Sequence, residues 1–306
     1  MSRARRLLLA LCVDLVIAAG ELAGGLIAHS TGLLATAGHD LADAGALGLA
    51  LVAVYLVRRP ATPSRSFGYH RVTILTALVN AVAIVVVTVL VVIVAVHRIE
   101  HPSEVKGGLV MIFAGIALIG NALAALLLRD GSRDLNMRAA TLHLAGDTLA
   151  ALGVLGAGAV IFTTGRFLVL DPVISLVISA VIAVEAVVLV RQSVEVLLES
   201  TPSDIDLSVL RTSIGTVAGV TDVHDLHCWS LSSEMRAISA HVVVAGHPSL
   251  EGAQLIGDAV KEHVRTHFYV AHSTIELECE RCAEPDGEVC AIDEPLPLGI
   301  EKSGRH

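Results

Sequence analysis

The sequence predicts a membrane domain of six helical spans followed by a small α+β domain. Of its 306 residues, 54% are hydrophobic and only 17% are charged. Soluble proteins carry about 25% charged residues, so most of this chain requires a lipid environment. From Thr201 onward the apolar runs give way to shorter alternating patterns, which indicates a separate folding unit.

Six apolar segments are long enough to cross a bilayer, which takes about 20 helical residues. They lie at 7–28, 33–57, 74–96, 107–128, 139–162 and 169–190. We therefore divide the chain into a membrane domain (1–200), a second domain (201–280) and an acidic tail (281–306). The tail is predicted to be disordered, because it is acidic and contains Pro and Gly.

The basic residues predict an orientation in the membrane. The N-terminal segment and the loops at 58–71 and 129–138 carry ten arginines, whereas the other loops offer only Arg98, Lys106 and Arg166. The positive-inside rule places the arginine-rich loops in the cytoplasm. Both termini are then cytoplasmic, as an even number of spans requires.

After the last span, the pattern predicts the order helix, strand, strand, helix, strand, which suits a small α+β sandwich. The helices are expected near 209–217 and 250–267, and the strands at 222–230, 236–244 and 273–279, with a turn at 231–233. Residues 201–306 hold 17 acidic and 7 basic side chains, so this region accounts for the chain's net charge of −9. This acidity argues against a nucleic-acid partner, which would require a basic face.

Two His-x-x-x-Asp pairs lie inside predicted spans, His39/Asp43 in the second and His143/Asp147 in the fifth. Ionisable side chains are costly in a membrane, and residues four apart share one face of a helix. Together the pairs offer two imidazole nitrogens and two carboxylates, a tetrahedral set suited to Zn²⁺. Two other interpretations stay open: a packing hydrogen bond within each helix, and a proton relay. The relay is compatible with metal binding, because ligands lose protons to bind metal.

Other polar residues in the spans have less specific patterns. Asp14 and Glu21 lie seven residues apart on nearly one face of the first span, where they can line a water path or pair with another helix. Asn80 and Asn121 are expected to be hydrogen-bond partners between helices.

Four stretches resemble the cation diffusion facilitator family. They are STGLLATAGHDLADAGALGLAL, RSFGYHRVTILTALVNA, NMRAATLHLAGDTLAALGVL and VHDLHCWSLSSEMRAISAHVVV, and the resemblance covers residues 7–280. It implies a homodimer in which each subunit has six spans and a ferredoxin-like cytoplasmic domain. It also implies export of Zn²⁺ from the cytoplasm against an inward flow of protons.

Departures from the family pattern refine this expectation. His39 resembles the zinc-type members, although Cd²⁺ and Co²⁺ stay open as substrates. Many members carry Asp three residues before this histidine, where this chain has Thr36. The loop at 129–138 has no histidine, which resembles bacterial members and predicts a bacterial plasma membrane location. Only His70 is left in the loop between spans 2 and 3, so we do not expect a full metal site there.

A second zinc site is expected in the C-terminal domain. His224 and His241 fall on adjacent predicted strands and Glu278 on the last strand, and the resemblance implies that these three residues bind zinc. Cys279-x-x-Cys282 resembles a cysteine pair at the end of this domain in some members. The alternative is a dimerisation domain with incidental histidines.

The sequence therefore favours a metal–proton antiporter in contact with membrane lipid. An intramembrane metalloenzyme is disfavoured, because the sequence contains no His-Glu-x-x-His and a four-ligand site lacks the open position that catalysis needs. A membrane zinc sensor that moves no metal stays open as a further alternative.

Overall fold

In the computed structural model, which describes residues 3–129, 135–232 and 235–281, six long helices precede a small mixed domain. The helices are α1 (Arg3–Ala28), α2 (Thr31–Val57), α3 (Val72–Glu100), α4 (Gly107–Arg129), α5 (Leu135–Thr164) and α6 (Leu170–Leu197). The chain divides into two compact units, and the boundary lies between Val194 and Glu195. The predicted fold class is confirmed.

The helical unit is built for a lipid solvent. Within the part of the chain that the structure describes, α2 to α6 are each long and apolar enough to span a membrane, and α1 contributes the apolar stretch Leu15–Ala28. Large apolar side chains such as Val86, Leu90 and Ile93 of α3 point outward. Such wide apolar surfaces are rare on soluble proteins, so the chain is an integral membrane protein.

Each of the six helices is longer than the apolar segment that predicted it, and α3 and α6 extend furthest beyond the predicted C-terminal end. The prediction ended the third span at 96 and the sixth at 190, but α3 continues to Glu100 and α6 to Leu197. The extra turns contain polar residues, including His97, Arg98 and Arg191. Long polar side chains extend towards water from the end of a span, so the helix outlasts its apolar run.

Small residues let the helices approach closely. A Cβ at Gly107 would lie 2.7 Å from the backbone nitrogen of Phe162 and 2.8 Å from the backbone oxygen of Gly158, so α4 and α5 touch almost at the backbone. α1 packs on α2 and α4, and α2 packs on α3 and α5. A buried cluster that includes Leu33 and Val110 packs the end of the unit where α2 and α4 begin. This arrangement brings α2 and α5, which carry the two His/Asp pairs, side by side.

A buried carboxylate joins the start of α6 to the start of α2. Asp171 is 1% exposed and accepts hydrogen bonds from the Thr31 backbone N–H (2.6 Å), the Thr31 hydroxyl (2.7 Å), the Gly32 N–H (3.3 Å) and the Ser30 hydroxyl. Ser30 also caps α2 by accepting from Leu33 N–H. One negative charge thus lies at the positive ends of two helix dipoles.

The second unit is an α+β sandwich. It consists of α7 (Leu207–Gly215), β1 (Val220–Ser232), β2 (Met235–Val244), α8 (Leu250–Phe268) and β3 (Val270–Glu278). In the sheet, β2 lies between β1, which is antiparallel to it, and β3, which is parallel. Among the described residues, the helices and strands follow one another as in a ferredoxin-like domain that lacks its first strand. A turn was predicted to begin at Leu231, but β1 runs through Ser232, because Ser232 still pairs with Met235.

Candidate metal centre

The two predicted pairs meet between α2 and α5. Within each helix, His39 Nε2 lies 3.5 Å from Asp43 Oδ2, and His143 Nε2 lies 3.6 Å from Asp147 Oδ2. Between the helices, His143 Nε2 lies 3.1 Å from Asp43 Oδ2, and His39 Nε2 lies 3.8 Å from Asp147 Oδ1. The imidazole rings are 5.6 Å apart at their centroids and nearly perpendicular, with an interplanar angle of 73°.

These separations have the size of a metal coordination shell. A tetrahedral site with bonds of about 2.1 Å has edges of about 3.4 Å between neighbouring ligand atoms. The four nitrogen–oxygen separations, 3.1 to 3.8 Å, scatter around that length. His39, Asp43 and His143 form a group whose ligand atoms all lie within 4.8 Å of one another, and Asp147 flanks this group. The four residues, which we call the quartet, fit a small divalent cation.

The quartet differs from two separate packing hydrogen bonds. Its shortest contact, from His143 to Asp43, joins the two helices rather than residues of one helix. Three buried polar atoms of the quartet also lack hydrogen bonds of good geometry: His39 Nδ1, Asp43 Oδ2 and Asp147 Oδ2. Unsatisfied polar groups are costly in a low-dielectric interior. A bound cation would offset that cost at the two carboxylates.

A cavity of about 320 Å³ adjoins the quartet. His39, His143 and Asp147 form part of its wall, together with residues of α1, α4 and α6. Two buried acidic side chains that the quartet does not use, Glu21 and Asp40, also line it. The cavity gives an ion and its water room beside the quartet.

A second group lies on the sheet of the C-terminal unit. His224 on β1 pairs directly with His241 on β2, and Glu278 ends β3 on the same face. The carboxylate of Glu278 lies 3.2 Å from His224 Nε2 and 3.0 Å from His241 Nδ1. His224 is 2% exposed, so the three side chains form a largely buried cluster with metal-ligand spacing.

Two acidic residues outside the predicted ligand set lie on the far side of His241. Its Nε2 lies 3.5 Å from Asp225 and 3.4 Å from Glu276, and Asp225 also contacts His227 at 3.0 Å. Asp225 has a positive φ of 47° in an irregular stretch of β1, which turns its side chain towards His241. Strand alternation alone does not reveal such a bulge.

Cys279, one of the two predicted cysteine ligands, does not join this cluster. Cys279 is exposed and is absent from the group formed by His224, His241 and Glu278. It follows Glu278 directly, and successive residues of an extended chain point to opposite faces. Cys282 lies outside the described residues. Cys228 belongs to the core, where burial raises the pKa of its thiol.

Two family models match the chain. The cation efflux transmembrane domain matches residues 7–198, and the cytoplasmic domain of cation efflux proteins matches residues 202–280. Together they span nearly all of the residues that the structure describes.

Relatives with assigned functions are similar over almost their whole length. The chain is 38% identical to zinc transporter ZitB of Escherichia coli over 96% of this chain and 92% of the relative. It is 35% identical to zinc transporter ZitB of Yersinia pestis, over 97% and 93%. It is 31% identical to a cadmium, cobalt and zinc/H(+)-K(+) antiporter of Bacillus subtilis, over 88% and 87%. The chain therefore belongs to the cation efflux, or cation diffusion facilitator, family.

Proposed function

We propose that this protein exports Zn²⁺ from the cytoplasm in exchange for protons, and that the quartet His39, Asp43, His143 and Asp147 carries the ion. The observation that supports this most strongly is the contact between His143 and Asp43, which makes one four-donor site from two helices. The two ZitB relatives are named as zinc transporters.

The charges of the quartet explain why metal and protons would exclude each other. Two buried carboxylates need about two positive charges to be tolerated in a membrane. One Zn²⁺ supplies them, and so do protons on both His39 and His143, whose Nε2 atoms lie beside the carboxylates. Each histidine must lose its proton before Nε2 can bind metal. The site therefore alternates between two nearly neutral states.

The ligand atoms of the quartet determine which metal it prefers. Two imidazole nitrogens with two carboxylate oxygens suit Zn²⁺ and tolerate Co²⁺ and Cd²⁺, whereas an oxygen-only site suits Mn²⁺ better. We therefore propose Zn²⁺ as the main substrate, with Cd²⁺ and Co²⁺ as secondary substrates.

The C-terminal cluster is proposed as a resident zinc site. His224, His241 and Glu278 offer three ligand atoms with the spacing that Zn²⁺ requires. The domain's family model is named for cytoplasmic domains, and we propose that this domain lies in the cytoplasm and joins two subunits into a homodimer. We also propose that the protein lies in the bacterial plasma membrane. Its N-terminus would then face the cytoplasm as well.

A flux assay in proteoliposomes with a pH gradient tests the proposal. Wild-type protein should move Zn²⁺ faster than Mn²⁺, and metal entry should be matched by proton exit. His39→Asp makes the quartet richer in oxygen, so it should shift the preference towards Mn²⁺. Metal binding without any flux would instead favour the sensor, and an unchanged metal preference in His39→Asp would remove the quartet from the transport path.

A further inference from the structure

A second polar set faces the cavity beside the quartet. On α2, Thr36, His39 and Asp40 lie three and four residues apart, so they share one face of the helix. Thr36 is 7% exposed and Asp40 is 4% exposed, and both line the same cavity as His39. Asp40 is thus a buried carboxylate beside the metal path, although it is not one of the quartet.

Two other helices complete this set. Glu21 of α1 is 3% exposed and Asn121 of α4 is 2% exposed, and both line the cavity. Asn121 was expected to be a hydrogen-bond partner between helices. Instead its Oδ1 atom is buried and accepts no hydrogen bond. A buried amide oxygen without a hydrogen bond is an acceptor that lacks a donor or a cation.

The chemistry of this set differs from that of the quartet. Glu21 and Asp40 offer carboxylate oxygens, Asn121 offers its amide oxygen, and Thr36 adds a hydroxyl. No lysine or arginine stands among the described residues that line the cavity. Carboxylate and amide oxygens are the ligands of hard, hydrated divalent ions, which keep several waters when bound.

The cavity has the size that such an ion needs. A shell of six waters occupies on the order of 180 Å³ at about 30 Å³ per water. The cavity volume of about 320 Å³ accommodates this shell and still reaches the quartet. An ion can thus enter with its water and give it up close to the imidazoles.

We propose that Glu21, Asp40 and Asn121 form a second cation site, which receives a hydrated divalent metal ion before it passes to the quartet. The role as a receiving site rests on the proposed function, but the binding site itself does not.

Mn²⁺ is the probe that separates this site from the quartet. The full-length protein in lipid nanodiscs is titrated with Mn²⁺ and followed by pulsed electron paramagnetic resonance, which detects nitrogen ligands. Wild-type protein should bind a Mn²⁺ ion without nitrogen coupling. Asp40→Asn, Glu21→Gln and Asn121→Leu should each weaken that signal. Asn80→Leu is the matched control, because Asn80 is also buried but does not line the cavity.

Two further variants separate this proposal from the proposed function. His39→Ala/His143→Ala should keep the nitrogen-free Mn²⁺ signal while losing zinc transport. Thr36→Asp/Asp40→Asn should recover the signal that Asp40→Asn loses, which a general folding defect would not allow. In zinc flux, Asp40→Asn should raise KM about tenfold and change kcat less than about twofold.

Three results would overturn the second site. The first is wild-type protein that shows only nitrogen-coupled Mn²⁺. The second is a nitrogen-free signal that survives Glu21→Gln and Asp40→Asn unchanged. The third is an equal loss of signal in Asn80→Leu and Asn121→Leu. A failure of zinc flux in wild-type protein with the Mn²⁺ site intact would refute the proposed function alone.

Discussion

Replacing Asp171 by Asn should destabilise the helical unit more than any single loss among its hydrogen-bond donors. The carboxylate accepts four hydrogen bonds from Ser30, Thr31 and Gly32. The amide of Asn has the same shape but keeps one acceptor oxygen. Its NH2 group then faces the backbone N–H of Thr31 or that of Gly32, so a donor meets a donor.

The expected size follows from these contacts. Two hydrogen bonds to a charged group are lost, at about 1.5–3 kcal/mol each, or about 3–6 kcal/mol together. The helical unit spans Met1–Val194. A unit of that size loses about 2–4 °C of melting temperature per kcal/mol, so the drop should be at least about 6 °C. Thr31→Val removes only the hydroxyl bond and should cost about half as much or less.

Circular dichroism at 222 nm during heating in detergent measures this change. The single tryptophan, Trp229, lies on β1, so its fluorescence reports on the C-terminal unit and should be unaffected. A melting temperature for Asp171→Asn within about 2 °C of wild type would refute the reasoning. So would a larger effect of Thr31→Val than of Asp171→Asn.

Further predictions concern packing, pH and the C-terminal cluster. Gly107→Ala forces α4 away from the backbone of α5 and should cost about 1–3 kcal/mol in thermal unfolding, whereas Gly156→Ala, where a Cβ meets nothing within 4 Å, should be tolerated. Burial, and then the nearby His267, lower the pKa of His263 below 6.5. As pH falls, the unfolded chain therefore binds a proton at His263 before the folded chain does. The melting temperature detected by Trp229 fluorescence should fall as pH drops below 6.5, and it should fall less steeply in His263→Gln. Equal dependence of melting temperature on pH in the two proteins would contradict this. Hydrogen bonds from Ser208 lower the pKa of Asp206, so Asp206→Ala should be less stable than wild type at neutral pH and match it once the pH falls below that lowered pKa. His241→Ala should remove tightly bound zinc, measured by atomic absorption after dialysis, whereas the half-exposed His227 should be replaceable by Ala; equal zinc contents would exclude the cluster as a zinc site.

The features that sequence could predict are periodic and local. Each His/Asp pair is a contact between residues four apart, so a helix of the right length was enough to place both donors on one face. The six apolar runs fixed the helices for the same reason, and the alternating pattern placed His224 and His241 on neighbouring strands. The pairing of those two residues is confirmed in the sheet register.

The features that sequence missed depend on distant or irregular contacts. Asp171 lies about 140 residues from the donors it accepts from, and no short-range pattern connects them. Asp225 reaches His241 only because the backbone of β1 leaves regular strand geometry. Cys279 was expected as a ligand because Cys279-x-x-Cys282 resembles a cysteine pair of some family members, but the alternation of an extended chain turns it away from Glu278. The cavity between Glu21, Asp40 and Asn121 exists only once α1, α2 and α4 are packed.

Zinc uptake into vesicles with an acidic interior tests most directly whether the quartet exchanges Zn²⁺ for protons. Wild-type protein should accumulate Zn²⁺ while the interior becomes less acidic, and dissipating the pH gradient should stop the uptake. Asp43→Asn should lose both fluxes together, because Asp43 makes the shortest contact of the quartet between α2 and α5. Full zinc uptake and proton release in Asp43→Asn would contradict the account.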